Sequence, residues 1–358
     1  MPKVSLIIAT YNRIGQIPAT LESVLAQSRP FDEIILVDDC SPDNTVAWLK
    51  QHYPHVRVLQ TPSNSGPAVA RNLGAKVSSG DILVFFDDDD VMLPGALQNF
   101  LDLFAEYPEA CAAFTDNEYQ HVGQNFHYRN HHFSLEMYRR FWDIATLRQT
   151  ESTRLFGRGI YKAMLRGNLL QQPFAIARKT FESLGGYAVD VRYCEDWEFY
   201  LRLTDSYPVA NSDAISSVHI QRGEGANVSL DRHQEPMHRR VLWRRLRAEG
   251  FRDPRSALLL ARRLAGYYKK TGDLAAPQSY WQAWRLYVKS FLLWPFDPIV
   301  FSGAVLFFLP WILAGKTRKV PETEVPLAVP LLRPLAPRSI IPRHAMTNRL
   351  RPFDESAN

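Results

Sequence analysis

The chain has 358 residues, 46% hydrophobic and 22% charged, a globular balance at a length of about two domains. Its net charge of +5 hides an asymmetry, with residues 1–237 at −8 and residues 238–358 at +13. These figures exclude a wholly disordered chain, a collagen-like repeat and a multi-span transporter, and three scattered cysteines without a Cys-x-x-Cys pair give no disulfide framework or cysteine zinc site.

Residues 4–9 form a short apolar run between turn signals, which predicts a buried strand. Residues 14–28 follow with Ile14, Ile17, Leu21, Val24 and Leu25 at helical spacing. A second strand over 33–37 leads to a helix over 43–52, with Asp43 near its N-terminus. A strand over 56–60 precedes a helix over 67–77, with Pro67 suited to its first turn. The same pair recurs at 81–86 and 94–106. This alternation predicts an α/β fold, a mostly parallel central sheet flanked by helices. Farther on, 110–115, 174–178 and 214–221 read as strands, 131–153 as largely helical and 195–203 as a short helix. Residues 231–290 read as helices rich in Arg, Leu, Trp and Tyr, and residues after 315 as a Pro-rich tail.

Parallel sheets bind ligands at the C-terminal ends of their strands. Three polar clusters fall there: Thr10-Tyr11-Asn12-Arg13, Asp38-Asp39-Cys40-Ser41 and Asp87-Asp88-Asp89-Asp90. Four adjacent carboxylates repel one another, and hard cations such as Mg²⁺ or Mn²⁺ take oxygen ligands. Read as an extended segment, Asp87 and Asp89 would face one ion and Asp88 the other side; a solvated acidic turn is the competing reading. Asp39 is placed to accept from a base or ribose, whereas Asp43 fits a helix cap. The first β–α connection has no Gly-x-Gly-x-x-Gly and the chain no Walker loop, which argues against a dinucleotide enzyme. Tyr11 offers an aromatic face to a base. Glu195-Asp196 opens a helix, where the helix dipole favours carboxylates, and by itself reads as a plain N-terminal acidic pair.

Taken together these motifs resemble family 2 glycosyltransferases, which have the GT-A fold. Val4-Ser5-Leu6-Ile7-Ile8-Ala9-Thr10-Tyr11-Asn12-Arg13 is similar to the family's opening. Val37-Asp38-Asp39-Cys40-Ser41 resembles its second signature, and Asn64-Ser65-Gly66 through Ala70-Arg71-Asn72-Leu73-Gly74 its third. Phe86-Asp87-Asp88-Asp89-Asp90 with Pro94 resembles its Asp-x-Asp region. Gly185-Gly186-Tyr187 and Glu195-Asp196-Trp197-Glu198 are similar to its late elements. The order holds over residues 3–230. The resemblance implies a nucleotide-sugar donor, a UDP-sugar first among them, with Thr10, Tyr11, Asp39 and Arg71 around base and ribose and Asp88 near ribose or diphosphate. It implies Mn²⁺ or Mg²⁺ on Asp89 with Asp87 assisting, Asp196 as catalytic base, and inversion by one displacement. The middle position of the Asp-x-Asp is itself Asp, which leaves open which of Asp87, Asp88 and Asp89 touch the metal. The Gln-x-x-Arg-Trp element of the family's processive synthases is absent, so one sugar per binding event is expected. His219 to Arg222 lie where the family closes over its donor, and Arg222 reads equally as a phosphate contact or a surface loop.

The domain reading is 1–230 as the GT-A domain (1–110 nucleotide-binding, 111–230 acceptor half), 231–290 as a basic helical region, 291–315 as an apolar membrane-associating segment and 316–358 as the tail. Residues 238–270 carry eleven Lys/Arg against two acids. Residues 291–314 hold one charge, Asp297, and are long enough for a bilayer of about 30 Å, but Pro295, Pro298 and Pro310 interrupt them. Basic residues at both ends predict re-entrant or interfacial insertion from the cytosolic face. The opening apolar run is too short for a signal peptide, so the expected location is cytoplasmic, attached to that face peripherally or monotopically. A saccharide or lipid-linked saccharide acceptor of cell-surface polysaccharide synthesis follows from that setting, and nucleic acid does not. The alternatives are a catalytically silent carbohydrate-binding or scaffolding subunit, against which intact Asp39, Asp89 and Asp196 argue, and a sugar-phosphate nucleotidyltransferase, which lacks its basic Gly-rich loop here.

Overall fold

The computed structural model describes residues 1–122, 127–129, 144, 146–165, 168–222, 234–249, 253–275 and 280–294. The strands are β1 (Val4–Thr10), β2 (Glu33–Asp38), β3 (Arg57–Gln60), β4 (Ile82–Asp87), β5 (Val91–Met92), β6 (Ala112–His121), β7 (His127–Arg129), β8 (Thr146–Gln149), β9 (Thr153–Phe156), β10 (Phe174–Ala177) and β11 (Val209–Gln221). The helices are α1 (Ile17–Leu25), α2 (Thr45–His52), α3 (Pro67–Val77), α4 (Ala96–Glu106), α5 (Gly159–Met164), α6 (Arg178–Ser183), α7 (Glu195–Ser206), α8 (Gln234–Glu249), α9 (Pro254–Ala275) and α10 (Tyr280–Leu293).

Among the described residues the strands form one sheet in the order β3-β2-β1-β4-β10-β6-β11-β9-β8, with β5 on β11 and β7 on β6. Strands β3, β2, β1 and β4 run parallel, and β10 runs antiparallel between β4 and β6. The chain leaves β1 toward β2 on one side and returns to β4 on the other, a switch point that opens a crevice at the ends of β1 and β4. Register assigns the side chains. Ile7, Leu83 and Phe85 enter one apolar cluster; Leu6, Ile8, Val84 and Phe86 enter the other. Successive residues of a strand point to opposite faces, so continuous apolar runs need cover on both. Helices α1 and α4 cover the second face through Leu21, Val24, Leu97 and Phe100. The first face carries α7 with Trp197, Phe199 and Leu201, and also Leu242 of α8 and Leu260 and Leu264 of α9.

Several boundaries differ from the sequence reading. Residues 146–153, read as helical, lie in the β8–β9 hairpin; Thr150 N donates to the Thr153 carbonyl at 2.9 Å to close its turn. Threonine's branched side chain and its hydroxyl bonds to nearby backbone favour this over a helix. Residues 131–143 lie outside the described residues, as do 295–358, which hold most of the apolar segment and all of the tail. Strand β6 runs on to His121 and β11 starts at Val209 because the two pair side by side from Val209↔Ala112 to Gln221↔His121. The acidic run is not extended: β4 ends at Asp87, and Asp88 and Asp89 form a turn, so alternation does not put Asp87 and Asp89 on one side. No described helix is long and apolar enough to cross a membrane.

Helix α3 approaches β1 over Gly74, where a Cβ would come within 2.6 Å of Ile7 Cγ2. Gly74→Ala overpacks a buried contact and should lower the unfolding free energy by about 1–3 kcal/mol. Urea titration checks this, with Gly15→Ala, which meets nothing within 4 Å, as the neutral control.

Candidate active site

Three described non-glycine residues have positive φ: Asn12 (54°), Cys40 (61°) and Cys194 (64°). Such backbone is costly for side chains other than Asn or Asp. All three lie on the connections that carry the polar motifs, after β1, after β2 and before α7.

Asp39 is buried and builds the loop after β3. Its Oδ1 accepts from Thr61 Oγ1 at 2.7 Å and Ser65 N at 3.0 Å, and its Oδ2 from Gly66 N at 2.6 Å. Asp38 does the same for the β2 turn, accepting from Ser41 N at 3.0 Å and Gln60 Nε2 at 2.9 Å. Asp43 caps locally, taking the Thr45 hydroxyl at 2.5 Å. Tyr11 is 43% exposed at the crevice mouth. Thr10 and Asp88 are buried side by side in the crevice, where the Thr10 hydroxyl favours the charged Asp88 carboxylate against the effect of burial.

Arg13 pairs with Asp89 and lies 4.0 Å from Asp88. Burial, and then the charge of Asp89, push Asp88 up to about 7. Burial and Asp90 push Asp89 up to about 6, against the pull of Arg13. Arg222 reaches the same turn, donating to the Asp89 carbonyl at 3.0 Å. His219 Nδ1 meets Asp90 Oδ2 at 2.5 Å, and its ring stacks on Tyr119 with centroids 5.1 Å apart. Burial works against the His219 charge, but Asp90 outweighs it and the pKa rises to about 9.

Arg71, expected beside base and ribose, has its two terminal nitrogens committed elsewhere. Nη1 donates to Glu195 Oε1 at 2.6 Å and Nη2 to Asp87 Oδ1 at 2.8 Å. Gln172, with its amide turned to satisfy both atoms, donates to Asp87 at 3.0 Å and accepts from Arg71 at 3.1 Å. Burial raises the Glu195 carboxyl to about 7 despite the Arg71 guanidinium. Asp196, half-buried at the first turn of α7, accepts from Asn168 Nδ2 at 3.1 Å. Burial raises its pKa, while the Trp197 N–H and Arg71 pull it down. Asn72 and Gly186 lock this arrangement. Tyr187 N donates to Asn72 Oδ1 at 2.8 Å, Asn72 Nδ2 donates to the Tyr187 carbonyl at 2.9 Å, and a Cβ on Gly186 would meet Asn72 Oδ1 at 2.6 Å.

The structure thus brings Thr10, Asp87, Asp88, Asp89, Arg71 and Asp196 to one edge of the sheet and gives Asp39 the loop beside it. Asp87 and Asp89 are held by different arginines, and no group of three His, Cys, Asp or Glu among the described residues is gathered as a metal cage. Arg13, Asn168 and Gln172 join the site without having been singled out. Gln172 stands two positions before β10, whose antiparallel pairing with β4 sets Phe174 opposite Phe85 and so brings Gln172 to Asp87; the sequence carries no local signal of that pairing.

Arg71→Met strands the buried Glu195 carboxylate and removes the partner of the partly exposed Asp87, and should cost about 3 kcal/mol of stability; Arg71→Lys recovers part of it, as urea titration would show. The His219–Asp90 pair is flanked by Tyr119 and, farther off, Asp87 and Asp89. Because the folded pKa of His219 lies above its ordinary 6.5, its contribution is fully present below pH 6.5 and lost as pH rises through about 9. His219→Gln should flatten that part of the stability profile.

The profile described as Glycosyl transferase family 2 matches residues 5–166. An uncharacterized glycosyltransferase of Haemophilus influenzae is 30% identical over 199 residues, 56% of this chain and 61% of that protein. The putative teichuronic acid biosynthesis glycosyltransferase TuaG of Bacillus subtilis is 39% identical over 114 residues, 31% of this chain and 44% of that protein. The chain therefore spans less than two thirds of the length of these curated relatives. The crystal structure of S. aureus TarS 1-349 in complex with UDP-GlcNAc aligns with a TM-score of 0.60 at 18% identity, over 89% of this chain and 95% of that one. The fold is GT-A, a mixed, mostly parallel central sheet flanked by helices, and residues 5–166 are similar to glycosyl transferase family 2.

Proposed function

We propose that this protein is a glycosyltransferase that moves one sugar from a nucleotide-diphosphate-sugar to a hydroxyl acceptor with inversion. The observation that carries the reading is the Arg71 bridge. It ties the last residue of β4, at the crevice expected to hold the donor, to the Glu195-Asp196 pair that opens α7. A UDP-sugar is favoured as donor because a neighbour of the same fold is solved with UDP-GlcNAc. Thr10, Tyr11 and Asp88 receive the nucleoside and diphosphate, and Asp39 shapes the loop beside them through Thr61, Ser65 and Gly66.

Asp196 is the base. It takes the acceptor hydroxyl proton as that oxygen bonds the anomeric carbon, and the bond from that carbon to the diphosphate oxygen breaks with its electron pair leaving on the diphosphate. One in-line displacement inverts the anomeric centre. Asn168 and the Trp197 N–H hold the Asp196 carboxylate in place. Arg71 positions Glu195 beside it. Carboxylate oxygens suit Mn²⁺ or Mg²⁺, and Asp87 and Asp89 are the residues that would hold such an ion, each exchanging the arginine that now holds it, Arg71 for Asp87 and Arg13 for Asp89. Bound there, such an ion would neutralise charge on the leaving diphosphate.

The acceptor is read as a saccharide or lipid-linked saccharide of cell-surface polysaccharide synthesis, the kind of process named for TuaG. Residues 1–230 are read as the catalytic domain, with the basic helices of 231–290 and the apolar 291–315 bringing it to the cytosolic face of a membrane.

Calorimetry with a panel of UDP-, GDP- and dTDP-sugars, with Mn²⁺, Mg²⁺ or EDTA, tests this. One donor should bind in a metal-dependent manner. Asp89→Ala should lose binding, and Asp196→Asn should keep it and lose turnover by at least about a hundredfold. Binding of no donor under any condition overturns the reading in favour of a silent subunit. Product NMR of the anomeric proton tests inversion.

A further inference from the structure

Outside the active site the molecule carries a second concentration of charge. Arg240, Arg244 and Arg247 stand at i, i+4 and i+7 on α8, with Trp243 between them, and with Asp190 they line an open cavity of about 550 Å³. Asp190 lies on the connection from Gly186 to α7, six positions before Asp196. Arg244 forms a two-nitrogen fork on the Asp190 carboxylate. Arg240 donates to the Asp190 carbonyl at 2.7 Å and stands 3.9 Å from its carboxylate. Arg247 is exposed and has no acidic partner among the described residues.

Like charges at i,i+4 on a helix destabilise it, and one carboxylate leaves two of the three positive charges uncompensated. The opposite face of α8 buries Val241 and Leu242 in the core shared with α7, so the face that carries the arginines is fixed toward the cavity, with Arg240 and Arg244 gathered there by Asp190. Guanidinium forks match phosphate oxygens in geometry, and two excess charges match a phosphate or diphosphate better than a single carboxylate. We propose that this cavity binds a phosphate or diphosphate group carried by the acceptor, with Asp190 holding the arginines in register until the anion arrives. The proposal rests on the transferase reading, since it names the chemistry of that acceptor. Asp190 stands on the segment that leads into α7, six positions before Asp196, and this link to the proposed base is the ground for assigning the anion to the acceptor.

The test titrates pyrophosphate into the full-length protein by calorimetry, with UDP present at saturation to fill the donor crevice. Pyrophosphate should bind in a salt-sensitive manner, and Arg244→Gln with Arg247→Gln should weaken it at least about tenfold while UDP affinity stays unchanged. UDP affinity also reports that the variant is folded. Absence of pyrophosphate binding, or equal binding by the variant, overturns the proposal. A second arm measures co-sedimentation with vesicles of phosphatidylcholine alone or mixed with phosphatidylglycerol. Vesicle binding that needs the anionic lipid and the arginines, without pyrophosphate binding, assigns them to the membrane surface and also overturns it. Should UDP and every donor fail to bind, the transferase reading falls, while pyrophosphate titration without UDP still decides whether the cavity is an anion site.

Discussion

A buried guanidinium with two carboxylate partners organises the active site. Taking Arg71 and Glu195 out of water costs several kcal/mol per ion, and their mutual attraction, with the partly exposed Asp87 as the second partner of the guanidinium, repays this only when the geometry satisfies each of them. Arg71 and Glu195 are 124 positions apart in sequence. The end of β4, helix α3 and the start of α7 can therefore reach their lowest energy only together. Tyr187 adds its ring beneath the guanidinium, 5.5 Å away, and the Asn72–Tyr187 clamp aligns the same elements with neutral hydrogen bonds. The two halves of the sheet are joined by charge as well as by apolar packing.

Around this bridge the carboxylates divide by what holds them. Asp38 and Asp39 are saturated by hydroxyl and amide donors and act on loop geometry. Asp88 and Asp89 depend on Arg13 and keep raised pKa values, so they are the acids most responsive to added positive charge. Asp90 is answered by His219. A single run of four aspartates thus serves separate purposes because the turn after β4 sends each side chain to a different neighbour.

The parallel half of the fold was legible in the sequence because β1, β2 and β4 are continuous apolar runs ending in polar clusters, and α3 was bounded by Pro67 at its start and matches its observed limits. The edges were harder to read. The β8–β9 hairpin depends on pairing with β11, which local pattern does not reveal. The location of Thr10, Asp88 and Asp196 followed from motif order. The partners of Arg71 did not, since they lie on strands and helices distant in sequence. Nor did composition show that Leu242, Leu260 and Leu264 share a core with Trp197, because a basic amphipathic helix looks alike whether its apolar side meets protein or lipid.

That shared core bears on how the chain can be dissected. Arg263 stacks over the Trp197 ring at 4.3 Å and donates to the Leu165 carbonyl at 2.7 Å, and Arg245 stands 3.7 Å from Asp205 at the far end of α7. Helix α7 is clamped from outside at both its ends. A fragment ending near residue 230 would keep every signature motif and yet present bare aromatic surface where α8 and α9 had been. The shortest autonomous unit in expression or limited proteolysis therefore extends through α9, well past the last recognisable motif.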